Sequence, residues 1–199
     1  FVAYGNFSVV DSDFQFQESG TYLGVGDLSI TGSSSISKLR FLGSTLNQIK
    51  IDTGSFVSIS NSTFSDCMRT LNAGQLTSTN NTFYACGIEN EGVLYLYNSI
   101  LAEESFCKGR VADSKKNLIE DTNELACGLK NGINGNIVGS LSSLIEPLYI
   151  TNYLELPKSS PAIDAGDDTI CAADPVNNTS QNGVTRLTGA HCDIGAYEA

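Results

Sequence analysis

Large apolar residues recur through the middle of the chain at a nearly constant spacing. Leu46, Phe64, Phe83 and Leu101 are separated by 18, 19 and 18 positions. Around the two phenylalanines the local text itself repeats, NSTFSDC at Asn61–Cys67 and NNTFYAC at Asn80–Cys86. Weaker copies, GSTL at Gly43–Leu46 and NSIL at Asn98–Leu101, flank them. A unit of this length is too short for a βαβ motif, which takes about 30 residues, and it carries no helical apolar stripe. The pattern predicts a β-solenoid of parallel strands, its coils stacked roughly 4.8 Å apart. Like side chains then lie over like: Phe64 over Phe83 inside, Asn61 over Asn80 at a corner, Cys67 over Cys86. Asparagine suits a repeated corner because it hydrogen-bonds turn backbone and tolerates left-handed conformations.

Shorter alternations fill in the coil. Ile36, Leu39, Phe41, Ile49, Ile51, Val57, Ile59, Leu76, Leu94 and Leu96 mark several strands per repeat, turned by Ser, Thr, Asn or Gly, and predict a coil with three faces. Upstream, Phe7–Val10, Phe14–Phe16 and Tyr22–Ile30 read as strands of an irregular first coil. Gly24-Val25-Gly26 reads as a tight turn, because no helix pattern follows to make a phosphate loop. Beyond Ala102 the repeat fades into a loop bracketed by Cys107 and Cys127, then a Gly- and Asn-rich run at Asn131–Gly139, then an apolar stretch from Leu144 to Leu156. The division is therefore coils over residues 1–158, regular to about 102, and a capping segment over 159–199 of the same domain.

Charge narrows the partners. With 22 Asp and Glu against 11 Lys and Arg, a net charge of −11 repels phosphate backbones and anionic lipid, so nucleic acid is not an expected partner. No apolar run reaches the 18 or so residues of a membrane helix, so no membrane insertion is expected. Six cysteines without a CxxC pair argue against zinc ribbons and thioredoxin-type chemistry and favour an oxidising, extracellular location. The first residue, Phe1, predicts either a removed leader or the C-terminal piece of a longer solenoid. A bridge between Cys107 and Cys127 would remove about 3 kcal/mol of unfolded-state entropy. Cys67 and Cys86 have two readings, a bridge between adjacent coils or a buried thiol pair.

The candidate chemistry is sparse. Tyr95 and Tyr97 alternate with Leu94 and Leu96 and should point outward from one face, where tyrosine rings serve as sugar platforms. Asp164, Asp167, Asp168 and Asp174 supply oxygens of the kind Ca²⁺ takes, but without the alternation of an EF-hand loop or a calcium-binding nonapeptide; carboxylates serving turns are the simpler reading. For glycoside hydrolysis, paired carboxylates must flank a cleft, and Asp167-Asp168 is the only acidic dipeptide of the last segment. His191, the single histidine, has no G-x-S-x-G elbow beside it. The sequons at Asn6, Asn61, Asn80, Asn177 and Asn178 matter only in a eukaryotic secretory route, and Asn61 and Asn80 fit corner roles better. No catalytic residue is assigned.

The last 40 residues are a different kind of text. Ser160-Pro161-Ala162-Ile163-Asp164-Ala165-Gly166-Asp167, Cys171, the Gly183–Arg186 step and Cys192-Asp193-Ile194-Gly195-Ala196-Tyr197-Glu198 resemble the C-terminal signature of choice-of-anchor Q domain proteins. Asn98-Ser99-Ile100, Cys107, Asn117-Leu118-Ile119 and Cys127 also match that family's layout, so the resemblance covers about half the chain. Ser180-Gln181-Asn182-Gly183 stands where the family has Asp-Gln-Arg-Gly. The resemblance implies a right-handed parallel β-helix of the pectate-lyase-like type, exported and tethered at the cell surface by varied anchors. A solenoid's last strand has no next coil to pair with, and the tail, in which Asp, Gly and Pro break the ladder, has the composition of a cap for it. Cys171 is then expected to pair with Cys192, and Arg186 to clamp Asp193 or Glu198. The resulting expectation is an all-β, right-handed parallel β-helix with a disulfide-stapled cap, structural or adhesive in role, which binds extracellular or cell-surface glycan on a lateral face. The alternative is a polysaccharide lyase or glycoside hydrolase, or its non-catalytic C-terminal fragment.

Overall fold

The computed structural model describes residues 7–10, 13–23, 28–42, 48–139, 146–148 and 153–199. The Gly24–Gly26 turn, Leu46 with its GSTL copy, Leu144 and the Asn6 sequon lie outside the described residues. What the chain forms is a parallel β-solenoid of about five turns. One face stacks Phe7–Val10, Leu28–Thr31, Gln48–Ile51, Arg69–Asn72, Gly87–Asn90 and Cys107–Lys108 in parallel. A second stacks Phe56–Ser60, Gln75–Thr79, Val93–Tyr97 and Asp113–Lys115. The third stacks Thr63–Ser65, Thr82–Tyr84, Ile100–Ala102, Leu118–Ile119 and Ile137–Val138. The long strand Ser33–Leu42 bends through both, pairing with Phe56–Ser60 by its first half and Thr63–Ser65 by its second.

Stacking like on like organises the interior. Phe64 and Phe83 are both buried and their rings stack with centroids 5.1 Å apart. Their column runs Tyr22, Phe41, Phe64, Phe83, Leu101, Ile119, Val138 in strand register. Two points differ from the sequence pattern. Phe41, not Leu46, is the register partner preceding Phe64, so that coil is 23 residues long and a fixed spacing of 18 misplaces it. The ladder also continues past Ala102, through Leu118–Ile119 to Ile137–Val138, where the repeated text is no longer visible.

The corner between the second and third faces is made by two neighbouring residues per coil with separate tasks. Asn61, Asn80 and Asn98 take left-handed backbone, φ 47°, 51° and 44°, a conformation asparagine accepts more readily than most residues. The residues that follow form a side-chain ladder along the stack. Leu39 N–H donates to Ser62 Oγ at 3.0 Å, Ser62 N–H to Asn81 Oδ1 at 2.8 Å, Ser99 N–H to Asn117 Oδ1 at 2.9 Å and Asn117 N–H to Asn136 Oδ1 at 3.0 Å. Asn81 N–H reaches Ser99 Oγ at 3.3 Å. Each backbone donor that the turn removes from the strand ladder is thus satisfied by the next coil, as a buried N–H requires.

Three disulfides staple the chain. Cys67–Cys86 joins adjacent coils at a Cα separation of 4.7 Å, Cys107–Cys127 does so at 4.8 Å, and Cys171–Cys192 closes the C-terminal segment. Of the two readings for Cys67 and Cys86, the bridge is the one formed. A short antiparallel pair, Glu146–Leu148 with Tyr153–Glu155, stands apart from the stack, and the α-helix Asp168–Ala172 is five residues long.

The C-terminal segment lies along the side of the solenoid. Its contacts fall on every coil from that of Leu39 to that of Lys115: Gln181 Nε2 donates to Leu39 O at 2.7 Å, Arg186 Nη2 to Asn61 Oδ1 at 2.9 Å, Ala196 N–H to Thr82 Oγ1 at 3.0 Å, and Asp167 N–H to Asn98 Oδ1 at 2.9 Å. Lys115 Nζ pairs with Asp167 at 2.6 Å. These contacts bury the outward side of the third face. Ile100, Ala102 and Leu118 point away from the solenoid interior and form a second apolar cluster with Leu156, Ala162 and Ile194. Gly195 permits this approach: its backbone has φ 104°, and a Cβ there would meet Ile100 Cδ1 at 2.6 Å.

Candidate functional site

The second face carries the outward tyrosines. In Val93–Tyr97 the side chains of Leu94 and Leu96 are buried while Tyr95 and Tyr97 are half-exposed, as the pleat alternation dictates. Their rings stack with centroids 6.5 Å apart at 25°. The neighbouring coils place Thr77 beside Tyr95 on one side and Asp113 on the other, and Thr79 and Lys115 beside Tyr97. Tyr97 Oη donates to Asp113 Oδ2 at 3.0 Å. Burial, together with that bond to the carboxylate, pushes the Tyr97 hydroxyl up to about 12, so it stays a donor at any physiological pH. At the rim, Phe56 is 58% exposed and Val93 40% exposed. Gln75 lies in register between Phe56 and Val93, so the apolar surface is the row Val93, Tyr95, Tyr97, edged by hydroxyls and one carboxylate, the chemistry that stacks on a sugar ring and hydrogen-bonds its periphery.

The acidic residues of the C-terminal segment do different work. Asp167 caps the short helix, accepting from Thr169 N–H at 3.0 Å and Ile170 N–H at 3.1 Å. Its burial pushes its carboxyl up, but the Lys115 ammonium and the two cap donors outweigh this and hold it below the ordinary value. Asp168 accepts from Cys192 N–H at 2.9 Å and contacts His191 Nδ1 at 2.8 Å, and the imidazole bond chiefly holds its carboxyl low. Asp164 accepts from His191 N–H at 3.0 Å, and Asp174 from Asn177 Nδ2 at 2.9 Å. Among the described residues, no group of three or more His, Cys, Asp or Glu side chains is arranged to hold a metal ion. The four carboxylates answer backbone donors and side chains of their own segment, and Asp167 in addition the Lys115 ammonium of the coils.

Two residues that sequence patterns did not single out, or did so only loosely, secure the segment. Arg186 is buried, and of the two proposed partners it pairs with Glu198, Nη1 to Oε2 at 3.2 Å. Toward Asp193 it reaches the backbone carbonyl instead, at 3.3 Å. Further donations go to the carbonyls of Gly195 and Ala196 at 2.8 and 3.1 Å. Burial lowers its guanidinium to about 10, against the pull of Glu198 and Asp193. Burial likewise pushes the Asp193 carboxyl up, although it accepts from Asp164 N–H and Ala199 N–H. Gln181 is buried and joins two neighbouring coils, its Nε2 donating to Leu39 O and its Oε1 accepting from Thr63 Oγ1.

On the first face a shallow cleft of about 380 Å³ is lined by Lys50, Asp52, Arg69, Asn72, Glu89 and Glu91 among others. Arg69 pairs with Glu89 at 2.9 Å, and Lys108 approaches the same carboxylate at 3.8 Å. Among the described residues no helix is long and apolar enough to cross a membrane. No family model, curated protein or solved structure matches the chain.

Proposed function

We propose that this chain is an exported, surface-displayed β-helical module of the choice-of-anchor Q type, structural or adhesive in role, which takes glycan along the face bearing Tyr95 and Tyr97. The observation that carries the reading is the pair of stacked, outward rings, edged by Thr77, Thr79 and Asp113 and continued by exposed Val93. Three disulfides fit an oxidising compartment. The signature in the C-terminal segment supports the family, because its Asp167, Gly195 and Arg186 positions meet the coils and its two cysteines cross-link the segment itself.

A second reading, cleavage of a polysaccharide, draws on the first-face cleft, where Glu89 and Glu91 lie beside Arg69. A neutral-glycan array run in parallel with a reducing-end release assay separates the two. The binding module predicts saturable retention without products, and about a tenfold loss of retention in Tyr95→Ala. Retention unchanged in Tyr95→Ala and Tyr97→Ala sinks the tyrosine face, and released sugar that disappears in Glu89→Gln or Glu91→Gln establishes the enzyme.

A further inference from the structure

The chain is acidic overall, at −11, yet three of its 11 cations converge on one cleft. It measures about 590 Å³, at the end of the first face, where Lys108, Arg110 and Lys130 form the walls with Gly128, Leu129 and Glu124. Among the described residues neither Arg110 nor Lys130 has an ion-pair partner, and both are exposed. Lys108 is held over the Phe106 ring at 4.7 Å, with Glu89 at 3.8 Å. Phe106 in turn occupies the space above Gly87, where any Cβ would meet its ring at 2.6 Å. Gly128 has left-handed backbone, φ 73°, and faces open space. The cleft therefore has positive walls, with Lys108 held in place, a partly apolar floor at Leu129, and room at its mouth.

Lys108 has Glu89 and the Phe106 ring beside it, but Arg110 and Lys130, without an ion-pair partner among the described residues, are costly to keep beside a third cation unless an anion joins them. Counting Glu124 against the three cations leaves two positive charges in the cleft, a match for a doubly charged stretch of ligand rather than a single carboxylate. We infer that the Lys108–Arg110–Lys130 cleft is a subsite for sulfate esters of an anionic polysaccharide. Sulfated sugar is favoured over a phosphate polymer because Leu129 offers apolar surface for a ring, and a bare polyphosphate chain has none to place there. Arg110 lies three positions before Asp113, which sits in register with Tyr95, so the cleft opens at the edge of the tyrosine face. The inference does not rest on that face.

The test is calorimetric titration of the whole chain with a heparin-derived hexasaccharide, its desulfated counterpart, and polyphosphate, each at 25 and 300 mM NaCl. The sulfated sugar is expected to bind, to weaken about tenfold or more at the higher salt, and to lose about tenfold in the Arg110→Ala/Lys130→Ala double variant. Tyr95→Ala should leave this binding unchanged, which separates its outcome from that of the tyrosine face. Both cations are exposed, so the double variant should fold, and an unchanged Tm verifies this; Arg110→Glu, a reversal at one position, provides the second variant. Equal binding by wild type and variants, equal binding of the desulfated sugar, or tighter binding of polyphosphate through the same side chains would each overturn the proposal.

Discussion

Asn81 makes three buried hydrogen bonds at once: its Oδ1 accepts from Ser62 N–H, and its Nδ2 donates to Ile59 O and Ser78 Oγ, both at 2.8 Å. Asn81→Ala leaves a buried N–H and a buried carbonyl without partners, at about 1–3 kcal/mol each, so a loss of about 2–5 kcal/mol is expected in urea unfolding. Asn81→Ser should cost less, because serine already fills the equivalent position at Ser62 and Ser99 and accepts there from Leu39 N–H and Asn81 N–H. A serine variant as damaging as the alanine one would refute this reading of the ladder. In the Phe64 column, Phe83→Ala is expected to lose about 3–5 kcal/mol. Asn61 and Asn80 were legible as left-handed corners because the letter repeats. The ladder one position later was not, since serine and asparagine substitute for each other along it and no identical residue marks it.

Asp167 supplies a pH-dependent term. Its folded pKa lies below the ordinary 3.8, so its contribution is present above that value and is lost as pH falls through the folded one. Asp167→Asn keeps the cap acceptor and removes the charge. Since Lys115 is half-exposed, a gap of about 0.5–1 kcal/mol at neutral pH is expected, closing as the pH falls through the lowered folded pKa, as read by thermal unfolding across pH. Asp193, pushed up by burial, acts in the opposite sense: its contribution is greatest in acid and is lost as pH rises through its folded pKa. A wild-type to Asp167→Asn gap that does not change as the pH falls from neutral through the folded pKa of Asp167 would remove the ion pair from the account.

The C-terminal segment is cross-linked within itself by the buried Arg186–Glu198 pair and the Cys171–Cys192 disulfide, and it is fastened to the coils by hydrogen bonds at Leu39, Asn61, Thr82 and Asn98 and by the Lys115–Asp167 pair. Removing one partner of a buried pair costs about 3–5 kcal/mol, so Arg186→Ala should release the segment, seen as rapid proteolysis after Glu155 with the coils intact. The Cys171→Ser/Cys192→Ser double variant should give the same cut more slowly. Intact protein in both cases would mean that apolar contact alone holds it. The composition of this segment was readable, and so was the participation of Arg186. Its place was not, because a tail rich in Asp, Gly and Pro suits an end as well as a side. A signal was nevertheless present: Ile100-Leu101, Leu118-Ile119 and Ile137-Val138 are apolar at both consecutive positions, where Thr63-Phe64 and Thr82-Phe83 alternate. A strand apolar on both sides is one covered on both sides, and here the cover is the segment carrying Ile194 and Ala162.

For the molecule as a whole, the stack was the most legible feature, since identical side chains in register are both the sequence signal and the cause of the fold. The three-face coil followed from the same alternation. The length of the Phe41–Phe64 coil did not, because extra residues between strands change the spacing without changing the strand register. Chemistry was the least legible, since the outward columns mix Thr, Ser, Tyr, Asp and Lys without repetition, and the cationic cleft joins residues 20 positions apart that only the coil brings together.

The lateral course of the last residues has a mechanical corollary. A bare solenoid behaves as a row of springs in which each turn knows only the two beside it, so it frays turn by turn. A strap bonded at Leu39, Asn61, Thr82, Asn98 and Lys115 couples turns that never touch. Pulling on such an object should give one large rip in place of a staircase, and cutting the strap should restore the staircase.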